Sequence, residues 1–299
     1  MKVNNRHSLS RSLERRYRLL VVPALFLIFA LIIFPLFFNF YISFTNFSLL
    51  KKGYKFVGLR NYTRFFSDSD LTIILGNTAK YVFWVVAFQF ILGFVSALML
   101  SYIKRMPGVI SAILFMPWVI SQVFAVAAWK LLFNDSYGLI NYALQALGLA
   151  PIGWMADKNL ALNVVILLNI WAGYGFSMTV QLGAIQNVPR DLYEAARVDG
   201  ANWFRQLLSI TLPLIRYTIM TNMIFITIST FNIFAYVFAL TAGGPIRYSE
   251  VIGLTMYNTA FMKGAMGQGA AISTLMLGFN AFMALLYVVL FKSQAPDTL

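Results

Sequence analysis

Six long stretches of this chain contain no charged residue and consist mainly of apolar side chains. They cover residues 19–44, 81–103, 108–128, 160–185, 217–242 and 270–291. Each stretch is long enough to cross the hydrocarbon layer of a membrane, which requires about 20 helical residues. The sequence therefore predicts an all-α integral membrane protein with six transmembrane helices.

The composition supports a fold solvated by lipid. Apolar residues make up 60% of the chain and charged residues 11%, whereas water-soluble domains contain about 25% charged residues. The chain has no cysteine, which excludes disulfides, thiolate metal sites and cysteine nucleophiles. Its one histidine, His7, lies outside the apolar stretches, so a histidine proton relay is not expected. The sequence predicts no metal site and no catalytic residues.

Residues 1–18 form a basic leader that is expected to stay uncleaved in the cytoplasm, because the apolar stretch after it is too long for a signal-peptide core. With six spans, the tail at 292–299 is then also cytoplasmic. The net charge of +13 does not indicate a nucleic-acid partner, because the basic residues are separated by long apolar stretches. Membrane lipid is the expected neighbour.

The six-span domain covers 19–291, with a cytoplasmic loop at 186–212 and outer loops at 45–80, 132–159 and 243–269. The uncharged stretch 136–156 is rich in polar residues, glycine and proline, so it predicts an interfacial helix and a turn, not a seventh span. The first outer loop is basic. It could favour an anionic solute or an acidic partner surface, or it could simply contact lipid headgroups.

The cytoplasmic loop contains its own helix signals. Pro189 suits a first helical position, Asp191 and Glu194 complement the positive end of the helix dipole, and Gly200 suits a left-handed helix end. These signals predict a short helix-turn-helix on the membrane surface. Its paired alanines, Ala195 and Ala196, leave the backbone close to any docked partner. An ordinary interfacial helix pair is the alternative.

The full pattern of this loop is more specific. Glu194-Ala195-Ala196, followed by Asp199-Gly200-Ala201 and an entry into the next span at Leu212-Pro213, closely resembles the signature loop of ABC importer permeases. The resemblance continues at 57–62 (VGLRNY), 240–245 (LTAGGP) and 257–261 (YNTAF), and is to the carbohydrate-uptake branch with maltose, trehalose, raffinose and glycerol-phosphate permeases. It implies the type I ABC importer permease fold.

The resemblance also implies partners and a location. The loop helix would be a coupling helix that contacts a cleft in a cytoplasmic ATPase subunit through Glu194, Ala195, Ala196, Asp199, Gly200 and Ala201. The chain has no phosphate-binding loop of the Walker type, so ATP-Mg would bind to the partner ATPases and this chain would carry no cofactor. The implied complex has two ATPases, a second, non-identical permease and an extracytoplasmic solute-binding protein, in the bacterial cytoplasmic (inner) membrane.

Polar residues within the spans indicate a solute path, because a polar group that faces lipid is unfavourable. The fourth and fifth spans are the polar ones. The predicted path residues are Asn169, Gly173, Tyr174, Phe176, Thr230, Asn232 and Tyr236. By resemblance, Asn169, Gly173 and Asn232 lie at or near positions that line the sugar cavity of the maltose-type permease. Thr230 and Ile233 stand where that permease has asparagines. Helix packing is the alternative role for each residue.

Two other classes of membrane protein were weighed. Secondary transporters usually keep ionisable residues near the bilayer midplane, and the six stretches have none. An integral membrane enzyme acting on lipid or glycan would need converging carboxylates or histidines, whereas the acids here are scattered or belong to the coupling loop. An ATP-driven sugar importer is the main prediction, with the identity of the sugar left open.

Overall fold

The computed structural model describes residues 22–103 and 105–292. The basic leader 1–18, including His7, and the tail after residue 292 lie outside the described residues. Within the described ranges every regular element is helical, and the one strand-like contact is an isolated bridge between Thr45 and Phe56. The prediction of an all-α fold is therefore confirmed.

The helices are α1 (Val22–Ser43), α2 (Arg60–Phe66), α3 (Leu71–Tyr102), α4 (Pro107–Val119), α5 (Gln122–Leu132), α6 (Leu139–Ala146), α7 (Ala161–Gln186), α8 (Arg190–Val198), α9 (Trp203–Asn232), α10 (Ala235–Thr241), α11 (Ile252–Tyr257) and α12 (Met266–Lys292). Five of them, α1, α3, α7, α9 and α12, are long and apolar enough to cross a membrane, and the bent pair of α4 and α5 gives a sixth span if the two helices are counted as one broken span. The predicted set of apolar spans is present in the described chain.

Two spans differ from the prediction at their ends. Helix α3 begins at Leu71, ten residues before the predicted stretch, and α9 begins at Trp203 and ends at Asn232 instead of running over 217–242. The predicted boundaries fall at Lys80 and Arg216, but both residues lie inside helices, so a basic residue does not mark the end of either helix. A side-chain N-cap sets the start of α9: Asn202 Oδ1 accepts a hydrogen bond from Arg205 N at 2.9 Å.

The predicted continuous helix over 108–128 is wrong at one point. The backbone leaves helical geometry at Ile120 and Ser121, and α4 and α5 meet at 90°. Pro117 removes one backbone hydrogen bond from the last turn of α4, which weakens the helix near the break. Irregular backbone at membrane depth is tolerated where it faces protein or a cavity, so the break indicates a functional region.

The structure divides into two compact units. Within the described residues, one contains 22–65 with Thr259–Thr274, and the other contains Phe66–Asn258 with 275–292. In the first unit, Asn61 Nδ2 donates to the carbonyl oxygens of Ser43 (2.7 Å) and Thr45 (2.8 Å), so the asparagine of the VGLRNY motif fixes the end of α1.

In the second unit, α3 packs along α7, and α4 and α9 pack against the same helix. Two glycines permit this close packing. A Cβ atom on Gly93 of α3 would lie 2.6 Å from Ser177 Oγ and 2.8 Å from Met178 N, and a Cβ on Gly175 of α7 would lie 2.7 Å from the Leu114 carbonyl oxygen. Small residues are the usual means by which membrane helices approach closely, because they let backbones come into contact.

The stretch 136–156 does not form a span. Its one helix, α6, has eight residues and is too short to cross a bilayer. Asn141 is almost fully buried and organises the loop: Nδ2 donates to the carbonyl oxygens of Asp135 (3.0 Å) and Ile152 (2.9 Å), while Oδ1 accepts from Trp154 Nε1 (2.9 Å). The stretch is thus a folded loop, as its polar composition predicted.

This loop gives a topology prediction. Ser136 and Asp157 flank the segment and are exposed, and the chain has no native cysteine. Cysteines introduced singly at the two positions should both react with a membrane-impermeant maleimide added to spheroplasts. A cysteine at the exposed Asn202 should react only after the membrane is permeabilised. Labelling of positions 136 and 157 from opposite sides would contradict the six-span topology.

Candidate solute cavity and coupling loop

A cavity of about 330 Å³ lies inside the second unit, among α3, the α4–α5 break, α7, α9 and the start of α10. It is lined by Gln89, Trp118, Ile120, Gln122, Asn169, Ala172, Gly173, Phe176, Phe225, Ile226, Ser229, Thr230, Ile233 and Tyr236. The break between α4 and α5 supplies Trp118, Ile120 and Gln122, so the bend shapes one wall. Within this lining, which belongs wholly to the described residues, there is no Asp, Glu, Lys or Arg.

A chain of buried polar groups supports one side of the cavity. Gln89 Nε2 donates to the backbone carbonyl oxygen of Asn169 at 2.8 Å and lies 3.4 Å from Asn169 Oδ1. Asn169 Nδ2 in turn donates to Tyr81 Oη at 2.6 Å. All three side chains are at least nine-tenths buried. The hydrogen bonds join α3 to α7 and hold the two amides in fixed orientations.

Aromatic rings form a second wall. Trp118 stacks on Phe176 with ring centroids 5.5 Å apart, and Phe176 contacts Phe225 at 4.4 Å. These rings come from α4, α7 and α9, so three helices contribute to one continuous aromatic surface. Ligand pockets of this kind combine apolar faces with a few fixed polar groups, which orient the ligand and give specificity.

Five of the seven predicted path residues line the cavity: Asn169, Gly173, Phe176, Thr230 and Tyr236. Tyr174 is half-buried on α7 outside the lining. Asn232 is also outside it: its Nδ2 donates to the Ile228 carbonyl oxygen at 2.8 Å, and its Oδ1 accepts from Asn280 Nδ2 of α12 at 3.2 Å. A role in the path stays a prediction for all seven.

Sequence reasoning missed several lining residues, namely Gln89, Trp118, Gln122 and Ser229. Gln89 had a usable signal, because it is the one amide side chain in the apolar stretch 81–103 and a polar residue in a span indicates a functional or interhelical role. Gln122 had the same signal, as the one amide side chain in the apolar stretch 108–128, whereas Trp118 had none. Their placement depends on the 90° bend, which the apolar pattern did not show.

The loop at 186–212, called the coupling loop after its predicted role, is well defined. Helix α8 begins at Arg190, with Pro189 in the preceding cap position instead of the predicted first helical position. Gly200 follows the helix with φ +76°, which is the predicted left-handed conformation, and the amide of Ala201 donates back to the Ala196 carbonyl oxygen at 2.8 Å.

Most of the predicted contact residues on α8 and its turn are open to solvent in this chain: Glu194, Ala195, Asp199 and Gly200 are exposed, and Ala196 and Ala201 are half-buried. Val198 is 88% exposed. No residue of α8 is buried. The surface of α8, which includes the exposed apolar side chain of Val198, is therefore free to contact a partner.

The coupling loop is tied to the helices that form the cavity. Tyr193 Oη of α8 and Thr211 Oγ1 of α9 lie 2.9 Å apart, and Gln206 Nε2 donates to the Ala201 carbonyl oxygen at 2.8 Å. Trp203 Nε1, at the start of α9, donates to Tyr102 Oη at the end of α3 at 2.8 Å. Hydrogen bonds thus join α8 and its turn to α9, and α9 to α3, and both α9 and α3 line the cavity.

The LTAGGP segment leads into a turn that is stabilised by ion pairs of Arg247. Arg247 Nε donates to Glu250 Oε2 at 2.7 Å, and Nη1 donates to Asp70 Oδ2 at 2.7 Å and lies 3.3 Å from Asp68 Oδ1. The hydrogen bond to Glu250 holds the pKa of Arg247 above its ordinary value. These contacts join the turn to the start of α3. The acids of the first predicted outer loop are thus paired within the chain.

Solved structures with the same fold belong to membrane transporters. A chain of a bacterial ABC transporter involved in the import of the acidic polysaccharide alginate superposes with a TM-score of 0.84 at 21% identity, over 97% of this chain and 100% of that chain. A second structure, a bacterial alginate ABC transporter with its alginate pentasaccharide-bound periplasmic protein, gives 0.79 at 22% identity, over 94% of each chain. These likenesses establish the type I ABC importer permease fold.

Sequence relatives are closer. The trehalose/maltose transport system permease of Thermococcus litoralis is 34% identical over 86% of this chain and 87% of its own length. The diacetylchitobiose uptake system permease of Streptomyces coelicolor is 32% identical over 89% of this chain and 79% of its own. The sulfoquinovosyl glycerol transport system permease of Agrobacterium fabrum is 29% identical over 92% and 90%.

The family described as "binding-protein-dependent transport system inner membrane component" matches residues 89–295. This range includes the cavity helices from Gln89 onward and the whole coupling loop. The predicted resemblance is therefore confirmed, and this chain belongs to the binding-protein-dependent transport system inner membrane components, the permease subunits of ABC importers.

Proposed function

We propose that this chain forms half of the translocation path for a sugar or sugar derivative in an ATP-driven importer of the bacterial cytoplasmic membrane. The observation that carries the proposal is the cavity, which combines amide groups, hydroxyl groups and a stacked aromatic surface inside a bundle of apolar helices. A sugar offers hydroxyls for the amides and C–H faces for the rings. The relatives described above are named for the transport of different sugars, so the solute class is proposed without a single sugar.

The proposal assigns coupling to α8 and the turn after it. The exposed surface of Glu194, Ala195, Ala196, Asp199, Gly200 and Ala201 would dock in a cleft of a cytoplasmic ATPase, which holds ATP-Mg. The hydrogen bonds at Tyr193, Gln206 and Trp203 would then transmit ATPase closure to α9 and α3. Both chain termini would be cytoplasmic. A binding protein would deliver solute from the opposite side, and a second, non-identical permease would complete the path.

Purification of an affinity-tagged chain from its own membranes tests this assignment. An ATPase and a second permease should copurify with the parental chain. Glu194→Lys should lose the ATPase and keep the second permease, because it places a bulky cation on the exposed docking surface, while Glu194 lies beyond the first turn of α8, where the helix dipole has little effect. Recovery of the parental chain alone would contradict the proposed function and favour a secondary transporter or a membrane enzyme.

A further inference from the structure

The orientation of the Gln89 amide follows from its partners. The backbone carbonyl of Asn169 can only accept a hydrogen bond, so the group 2.8 Å from it must be the Gln89 NH₂. The second neighbour, Asn169 Oδ1, is also an acceptor. Both amide hydrogens are thereby directed toward Asn169, and Gln89 Oε1 points away from it. No donor to this oxygen is present among the described residues, and Gln89 lines the cavity.

Gly173 makes this arrangement possible. A Cβ atom at position 173 would overlap the Gln89 side-chain amide, with its Oε1 only 2.8 Å away. Gln89 therefore lies across α7 where α7 has no side chain. Any larger residue at 173 would displace the Gln89 amide from the Asn169 carbonyl oxygen, because the added Cβ atom would meet the amide group itself. The Gln89 side chain is buried, so it has little room to move elsewhere.

We propose that Gln89 recognises the solute by presenting Oε1 as a fixed acceptor to a solute hydroxyl. Asn169 and Gly173 position the Gln89 side chain. The cavity therefore takes an uncharged, hydroxyl-rich solute. The proposal rests on the proposed function. It assigns Asn169 and Gly173 a supporting role instead of the direct solute contact expected from the sequence, because Asn169 Nδ2 donates to Tyr81 and Asn169 Oδ1 faces Gln89.

The charge of the solute follows from the same groups. A carboxylate or sulfonate bound against this chain's half of the path would face the Gln89 acceptor, and the lining residues of this half include no Lys or Arg to pair with it. Burial of an anion without a paired cation is strongly unfavourable. A neutral sugar has no such penalty, since its hydroxyls can donate to Gln89 Oε1 while its apolar face packs on Phe176.

A solute panel tests the charge. The complex, reconstituted in vesicles with its binding protein, should take up a neutral probe, trehalose or diacetylchitobiose, and reject the acidic probes, alginate pentasaccharide and sulfoquinovosyl glycerol. Uptake restricted to an acidic probe would overturn the inference and leave the importer function intact. Failure of every sugar that the binding protein binds to stimulate ATP hydrolysis by the complex would overturn the proposed function, and the inference with it.

Alanine variants, assayed with the neutral probe that the complex transports, test the positioning. Gln89→Ala and Gly173→Ala should each lower uptake about tenfold at limiting solute, as expected for a lost buried hydrogen bond. The combined variant should be no worse than Gln89→Ala, because Gly173 matters only while Gln89 is present. If the loss of uptake in the combined variant equalled the product of the two single losses, the positioning role of Gly173 would be overturned. Gly183→Ala is the matched control on α7, since a Cβ there meets nothing within 4 Å.

A cysteine at position 89 separates solute contact from a structural role. In a chain without native cysteine, Gln89→Cys should react with a small methanethiosulfonate reagent through the cavity. Saturating amounts of the same neutral sugar should slow the reaction severalfold, because bound solute covers the position. Equal rates with and without the sugar would overturn solute contact at Gln89.

Discussion

Replacement of Gly200 with valine is expected to abolish solute uptake while the chain remains inserted in the membrane. Gly200 has φ +76° in the turn that ends α8. A left-handed conformation costs an ordinary residue about 1–2 kcal/mol, and a β-branched side chain fits it worse. Valine should therefore change the backbone conformation of the turn and break the hydrogen bond from Ala201 N to the Ala196 carbonyl oxygen. The orientation of α8 relative to α9 should change as a result.

The matched variant is Gly200→Asn, because asparagine tolerates the left-handed conformation better than other residues with a side chain. It should keep most of the uptake, while Gly200→Val should lose it, with ATP hydrolysis no longer responsive to the loaded binding protein. Membrane yield of the two variants should be similar, since position 200 is exposed and a Cβ there meets nothing within 4 Å. Solute uptake by the valine variant at the parental rate would show that α8 is not the coupling helix.

Gly93→Ala is expected to destabilise the permease itself. The added Cβ would lie 2.8 Å from the backbone nitrogen of Met178, which cannot move without moving α7, and 2.6 Å from Ser177 Oγ. Ser177 also accepts hydrogen bonds from Gln181 Nε2 at 2.9 Å and Asn222 Nδ2 at 2.7 Å, so its displacement would disturb the contact between α7 and α9. Overpacking of this kind typically costs about 1–3 kcal/mol.

Thermal unfolding in detergent, followed by loss of the monodisperse size-exclusion peak, measures this effect. Gly76→Ala is the control on the same helix, because a Cβ at 76 meets nothing within 4 Å. It should leave the midpoint unchanged or raise it, since alanine favours a helix interior over glycine by about 1 kcal/mol. Equal midpoints for the two variants would mean that α3 and α7 are not packed as closely as the structure shows.

The sequence predicted the class of fold well because each span is a local, charge-free apolar stretch. Span ends were harder to predict, since Lys80 and Arg216 lie inside helices and helix ends depend on capping. The break after Val119 depends on packing around α4 and α5, which a hydropathy pattern does not contain. The left-handed turn at Gly200, by contrast, follows from local chemistry and was predicted correctly.

The cavity was predictable only in part. Polar and aromatic residues on α7 and α9 were visible as exceptions in apolar stretches, and five of the seven predicted residues line the cavity. Asn232 was predicted there as a polar residue of the fifth span and by resemblance to the maltose-type permease, but α9 ends at this residue, whose side chain accepts a hydrogen bond from Asn280. The contact between Gln89 and Gly173 joins residues of two helices far apart in the chain, so no local pattern could reveal it.

The most direct test of the central claim is ATP hydrolysis by the complete complex in lipid vesicles, measured with the binding protein added empty and then loaded with a neutral sugar. The account predicts that the loaded binding protein stimulates ATP hydrolysis, that sugar uptake requires ATP, and that Gly200→Val abolishes both responses. Sugar uptake by the chain alone, driven by a proton or sodium gradient and unaffected by ATP, would contradict it.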